Sequence, residues 1–164
     1  MIEFNLSNNE RLVYVLNDLL KRALTASNQQ FLHAELMEYS SYVKLASVTR
    51  RNSLDGLHHA GTFTKRIAIL GGMPKFNEVF PLRIGRTVQE QVANDLEAKV
   101  DFIAGLNNAV QLYDEAGDGV SQELLKSIRA QQEQQLDWLE AELHQMREAG
   151  MDAYFSRQSE ADDN

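Results

Sequence analysis

Apolar residues recur along this chain at steps of three and four, the spacing of a helix that buries one face. Ser7-Asn8-Asn9-Glu10, a hydroxyl followed three residues later by a carboxylate, has the form of a capping box and should open the first helix. Leu12, Val13, Leu16, Leu19, Leu20, Ala23 and Leu24 then follow at helical spacing, and no Pro or Gly appears before Gly56. An unbroken helix of that length is unusual, so a short turn is expected between Glu38 and Lys44, around Ser40-Ser41. The second helix should end at Gly71-Gly72, with Pro74 as the stop. Pro74, Pro81 and Gly85 interrupt any periodicity from Met73 to Arg86, which reads as a connection. Thr87-Val88-Gln89-Glu90 is a second capping box, opening a helix to about Glu115 that closes in Gly117-Asp118-Gly119. Ser121, with Glu123 in the first turn, is expected to start a fourth helix that runs to Gly150. A short amphipathic piece, Met151 to Arg157, completes a single domain over residues 1–158. Residues 159–164, with Glu160, Asp162 and Asp163, read as a disordered acidic tail.

Connection lengths constrain the topology. The connection of about 13 residues can stretch about 43 Å, and a helix of about 27 residues is about 40 Å long. It can therefore run the length of a bundle and start the third helix from the opposite end, parallel to the second. The tighter turns elsewhere force antiparallel neighbours. An all-α bundle of four long helices with one long crossover and a short fifth helix is the ferritin-like arrangement, not the plain up-down-up-down form.

Composition narrows the chemistry. The 164 residues include no Cys, which removes disulfides, zinc ribbons, iron–sulfur clusters and thiol nucleophiles. A domain of this size needs no metal to fold, so any metal would be present for function. A formal charge of −8 argues against nucleic acid and is compatible with cations as partners, although simple solubility is the favoured account of it. The longest apolar runs, such as Ile67-Ala68-Ile69-Leu70, fall far short of the roughly 20 residues of a membrane span. Met1-Ile2-Glu3-Phe4-Asn5 lacks the basic start of a secretion signal, and the cytoplasm is the expected compartment. No Ser/His/Asp triad, glycine-rich phosphate loop or basic stripe stands out.

Particular segments sharpen the picture. The first helix carries Ala26-Ser27-Asn28-Gln29-Gln30-Phe31-Leu32-His33-Ala34, and the second ends Arg66-Ile67-Ala68-Ile69-Leu70-Gly71-Gly72-Met73-Pro74. The connection closes with Leu82-Arg83-Ile84-Gly85, the third helix contains Asn94-Asp95-Leu96, and the fourth contains Leu136-Asp137-Trp138-Leu139-Glu140. In this order and spacing the chain resembles the bacterioferritins over nearly its whole length. The resemblance implies a hollow 24-subunit shell that stores ferric mineral, with a two-iron oxidation site inside each bundle and haem shared between paired subunits.

Such a di-iron site takes one Glu from each of two helices and a Glu-x-x-His pair from each of the other two. Carried over by the resemblance, the lone Glu of the first helix falls on Ala23 and that of the third on Lys99. The pair on the second helix becomes Gly56 and His59, and the pair on the fourth becomes Gln132 and Gln135. Only His59 keeps a good metal donor, and then a weak site by itself. With His59 neutral, the six positions carry the single positive charge of Lys99 where four carboxylates would stand. Lys99 either donates to Gln132 and Gln135 and plugs the space a cation would take, or snorkels to solvent from a core that has drifted. The resemblance places the haem-ligating Met at Leu57, which cannot ligate iron and suits packing between paired subunits. His58, about 100° further around the helix, should point away from that pocket.

Asp55 and His58 share a helical face, and Asp55 matches a family position on the shell interior, so the two are candidates for mineral nucleation. Glu140 and His144 read as a surface pair, His33 as a structural histidine and Trp138 as core. Glu97 and Asp101, each two residues from Lys99, should point away from the core. The expected function is a shell subunit for iron storage, without its own oxidation centre or haem ligand, co-assembling with an active bacterioferritin subunit. It would bind no cofactor at the di-iron positions, would share ferric mineral in the cavity, and would meet haem only if a partner subunit supplies it. A repurposed four-helix-bundle enzyme using His59, Lys99 and neighbours such as Glu97, Asp101 or Glu133, and a non-iron scaffold, are the alternatives.

Overall fold

The computed structural model describes residues 7–159; the acidic residues 160–163 of the expected tail lie outside them. It contains α1 (Asn8–Tyr39), α2 (Val43–Ile69), α3 (Val88–Glu115), α4 (Gly119–Ala149) and a short α5 (Met151–Ser159). Among the described residues there is no strand, and no helix is long and apolar enough to cross a membrane.

Both capping boxes form. Ser7 Oγ accepts the Glu10 N–H and Glu10 accepts the Ser7 N–H, and Thr87 and Glu90 repeat the exchange. The break between α1 and α2 falls at Ser41, whose φ of 68° turns the chain while the Tyr42 N–H closes on the Met37 carbonyl. One expected boundary is corrected. Asp118, not Ser121, caps α4: its carboxylate accepts the Ser121 N–H at 3.0 Å and the Ser121 hydroxyl at 2.6 Å. Ser121 therefore sits three residues inside the helix, where the cap's acceptor needs a donor. Arg66 of α2 adds two 3.0 Å bonds to the same carboxylate and ties the end of α2 to the α3–α4 turn.

Arg50 against Glu35 with Gly56 against Ala23 makes α1 and α2 antiparallel, and Gly105 against Leu19 with Asp95 against His33 does the same for α1 and α3. The connection between α2 and α3 accordingly travels the bundle's length, and α1 supplies the rungs that hold it. Asn17 Oδ1 accepts the Lys75 N–H, Thr25 Oγ1 that of Phe80, and Gln29 Oε1 that of Arg83, each at 2.8 Å. His33 Nε2 accepts the Gly85 N–H at 3.1 Å. An extended segment has no internal partners for its amides, so these side chains supply them. Because Nε2 accepts, the proton of the neutral ring lies on Nδ1, which donates to Asp95 Oδ1 at 2.8 Å; Gln29 donates to the same oxygen at 2.9 Å. Gly85 is required here, because a Cβ would lie 2.3 Å from the Gln91 nitrogen.

Two apolar clusters fill the bundle. One gathers Leu16, Leu20, Phe63, Phe102, Leu106 and Tyr113; the other gathers Met37, Leu45, Val92, Leu139, Met146 and Tyr154, through which α5 docks. Between them lies a band of buried polar side chains. Trp138, expected in the core, is only half-buried and flanks the second cluster, because α2 and α4 touch little along this stretch.

Gly61 tests the helix. It lies inside α2 with open space where a Cβ would stand, so Gly61→Ala should raise stability by about 0.5–1 kcal/mol in denaturant titration. Asp95 tests the crossover anchor. Asp95→Ala strands two buried donors and should cost about 3 kcal/mol, with faster hydrogen exchange at the Arg83 and Gly85 amides; Asp95→Asn, which keeps an acceptor, should cost less.

Candidate functional site

The polar band contains every position singled out in the bundle core. Ala23 on α1 and Gly56 on α2 are buried where the two helices meet. A Cβ on Gly56 would meet the Ser27 Cβ at 3.2 Å and the Ala23 carbonyl oxygen at 3.5 Å. Ser27 and Ser53 lock this contact by each donating its hydroxyl to the other's backbone carbonyl at 2.7 Å. A Cβ at position 56 would require Ser27 to give by a few tenths of an ångström.

Lys99 on α3 is 2% exposed, so its ammonium does not reach solvent. Nζ donates to Gln132 Oε1 at 2.6 Å and to Gln135 Oε1 at 2.7 Å, both on α4. The Gln135 amide then passes the polarisation outward, its Nε2 donating to Asp55 Oδ2 on α2 at 3.0 Å. Burial pushes the Lys99 ammonium down to about 8, against the fields of Asp95 and Asp55, which favour its charge. His59, 5% exposed, is pushed down to about 4 by burial, with Asp55 opposing and Lys99 adding to the shift. Near neutral pH the band therefore holds a charged lysine and an uncharged imidazole. His59 Nε2, Gln132 Nε2 and Asn52 Nδ2 are buried without a protein partner.

This donor set is poor for cations. The two amide oxygens face an ammonium, Ala23 and Gly56 offer no lone pair, and His59 stands as a single nitrogen donor. Among the described residues no group of three or more His, Asp or Glu side chains gathers where it could hold a metal.

The remaining candidates are dispersed. Leu57 and Leu54 are 48% and 57% exposed on α2, and His58 is exposed beside them. Asp55 is half-buried and held by Gln135; no hydrogen bond or ion pair joins it to His58 among the described residues. Glu97 and Asp101 are surface groups that grip Arg83 of the crossover at 2.7 and 2.6 Å, while Glu133, Glu140 and His144 are exposed. Sequence reasoning passed over Asn52, Gln30 and Asp95 as members of the polar band. Their only signal was a polar residue recurring on an otherwise apolar face.

These displaced titrations predict the pH dependence of stability. His59 takes up its proton later in the folded chain than in the unfolded one, so stability should fall as pH drops from about 6.5 to about 4, by roughly 2–3 kcal/mol. Lys99 acts at the other end: the unfolded chain holds that proton longer, so stability should rise between about pH 8 and 10.5. Denaturant titrations across pH should show the acid limb flattened by His59→Leu and the alkaline rise removed by Lys99→Met.

A family model for the ferritin-like domain matches residues 14–149. The chain is 36% identical over 140 residues to a bacterioferritin of Mycobacterium avium, covering 85% of this chain and 88% of that protein. It is 35% identical over 141 residues to a bacterioferritin of Streptomyces coelicolor, covering 86% and 84%, and 35% identical over 139 residues to one of Brucella melitensis, covering 85% and 86%. A four-helix bundle with the long crossover, matched along most of its length to these relatives, makes the chain a member of the bacterioferritin family.

Proposed function

We propose that this chain is an iron-storage shell subunit of the cytoplasm that has lost its own oxidation centre and haem ligand and co-assembles with an active bacterioferritin subunit. The observation that carries the reading is the Lys99 ammonium, buried and held by the oxygens of Gln132 and Gln135. A pair of divalent iron ions does not fit among these residues. It would displace or neutralise an ammonium, would find no carboxylate at Ala23, Gly56, Gln132 or Lys99, and would meet a helix contact closed by Ser27 and Ser53. Haem does not fit Leu57 either, since a leucine has no lone pair for iron; haem in a mixed shell would take its ligand from the partner subunit.

Self-assembly draws support from the family and from the outer surface. Phe31 of α1 and Leu54 and Leu57 of α2 are exposed apolar side chains of the kind that pack between subunits. The shell depends on such outer faces while oxidation depends on the core, so one can persist when the other is lost. A repurposed catalytic core gains no support, because Glu97, Asp101 and Glu133 are exposed and Lys99 is committed to α4.

Light scattering of the purified chain, alone and refolded with an active bacterioferritin subunit, tests assembly; stopped-flow absorbance after ferrous iron and oxygen tests the core. Shell-sized particles that contain both chains and oxidise iron in proportion to the active one are expected. Rapid oxidation by this chain alone, abolished by His59→Ala, would sink the reading of a lost centre. A chain that stays small and never enters mixed particles would sink the shell.

A further inference from the structure

The cluster of glutamines on α4 has a use that the plugged core does not exhaust. Gln132 and Gln135 turn inward to Lys99, but Gln134 and one edge of Gln135 line a cleft of about 280 Å³ between α2 and α4. Its opposite wall carries Arg51, Asn52 and Asp55, and Trp138 closes one end. We infer that this cleft binds a small oxyanion of the phosphate type, held by the Arg51 guanidinium and the Asn52 amide.

Three observations carry this. Arg51 is exposed at the cleft and has no carboxylate partner among the described residues, whereas Arg50 beside it holds both Glu35 and Glu38. A guanidinium presents a planar fork of donors that matches a phosphate edge. Asn52 is 5% exposed, yet its Nδ2 has no protein partner, and a buried amide donor left open is unusual in a native core. The one carboxylate of the cleft, Asp55, accepts from Gln135, whose own oxygen accepts from Lys99, so a positive charge stands directly behind it. Arg51 is thereby the charged side chain of the cleft without a hydrogen-bonded or ion-pair partner among the described residues, which favours an anion at that end over a cation. The binding chemistry stands on these residues alone; only the orientation of the cleft towards a storage cavity rests on the proposed shell.

The test uses the iron-free full chain and inorganic phosphate, followed by calorimetry and by phosphorus NMR line width at constant ionic strength. Saturable binding of one phosphate per chain in the millimolar range is expected, weakened about tenfold or more by Arg51→Ala and partly recovered in Arg51→Lys. Asp55→Asn separates the two signs of ligand: it should tighten phosphate, whereas a cation site would be lost. A sugar phosphate that binds as well as inorganic phosphate would identify an ester as the ligand and keep the proposal, with the ester group extending past Trp138. Absence of saturable binding, or binding unchanged by Arg51→Ala with the variant's melting curve intact, would overturn it. Particle size measured on the same samples keeps this apart from the shell: phosphate bound by a small oligomer would fail the shell alone, and an intact shell without phosphate would fail the cleft alone.

Discussion

A buried ammonium at the centre of a helical bundle organises this molecule. An isolated charge in such a place costs many kcal/mol, so the structure around Lys99 must supply nearly all that water would have given it. Gln132 and Gln135 supply two short hydrogen bonds, and Asp95 and Asp55 supply a favourable field. This charge lies in the polar band that separates the two apolar clusters, and it adds to the burial that keeps His59 neutral.

Asp95 links that charge to the topology. Its carboxylate favours the ammonium of Lys99, one helical turn along α3, and also accepts from His33 and Gln29 of α1, which hold the backbone of the crossover. The same buried acid thus serves as counter-ion to the core and as anchor for the strap that makes α2 and α3 parallel. A substitution that spared the fold while removing the lysine would leave Asp95 with less compensation. The core charge is therefore coupled to a part of the chain that never touches it.

The fold was legible because its signals are local. A capping box needs only residues three apart, and the length of the crossover is what permits α3 to start from the opposite end. The cap of α4 was misplaced because Asp118 and Ser121 are both competent caps, and only the Arg66 side chain, distant in sequence, selects Asp118. Trp138 was misread for a similar reason: helical spacing marks a face, but the separation of α2 from α4 decides how deeply that face is covered. The choice between a plugging and a snorkelling Lys99 was equally hidden. It turns on whether two amides from another helix come within hydrogen-bond reach, which spacing along one helix does not encode. The partnerless Asn52 was invisible for the same reason.

The residues at the positions that the resemblance assigns to metal ligands also differ in kind. Had the core simply decayed, apolar residues would be the expected replacements, since a well-packed apolar core is usually as stable as a buried ionic one. Ala23 and Gly56 fit decay. Lys99, Gln132 and Gln135 do not, because each is polar, each is buried, and the Lys99 ammonium donates to both amide oxygens. Gly56 moreover lets α1 and α2 close through reciprocal serine hydrogen bonds, which removes volume from the place where metal ligands would need to enter. A lysine tethered by four methylenes is a cation that cannot dissociate. Placed against amide oxygens, it keeps a positive charge at the centre of the bundle near neutral pH whatever the metal supply, so assembly of this chain would not wait on iron.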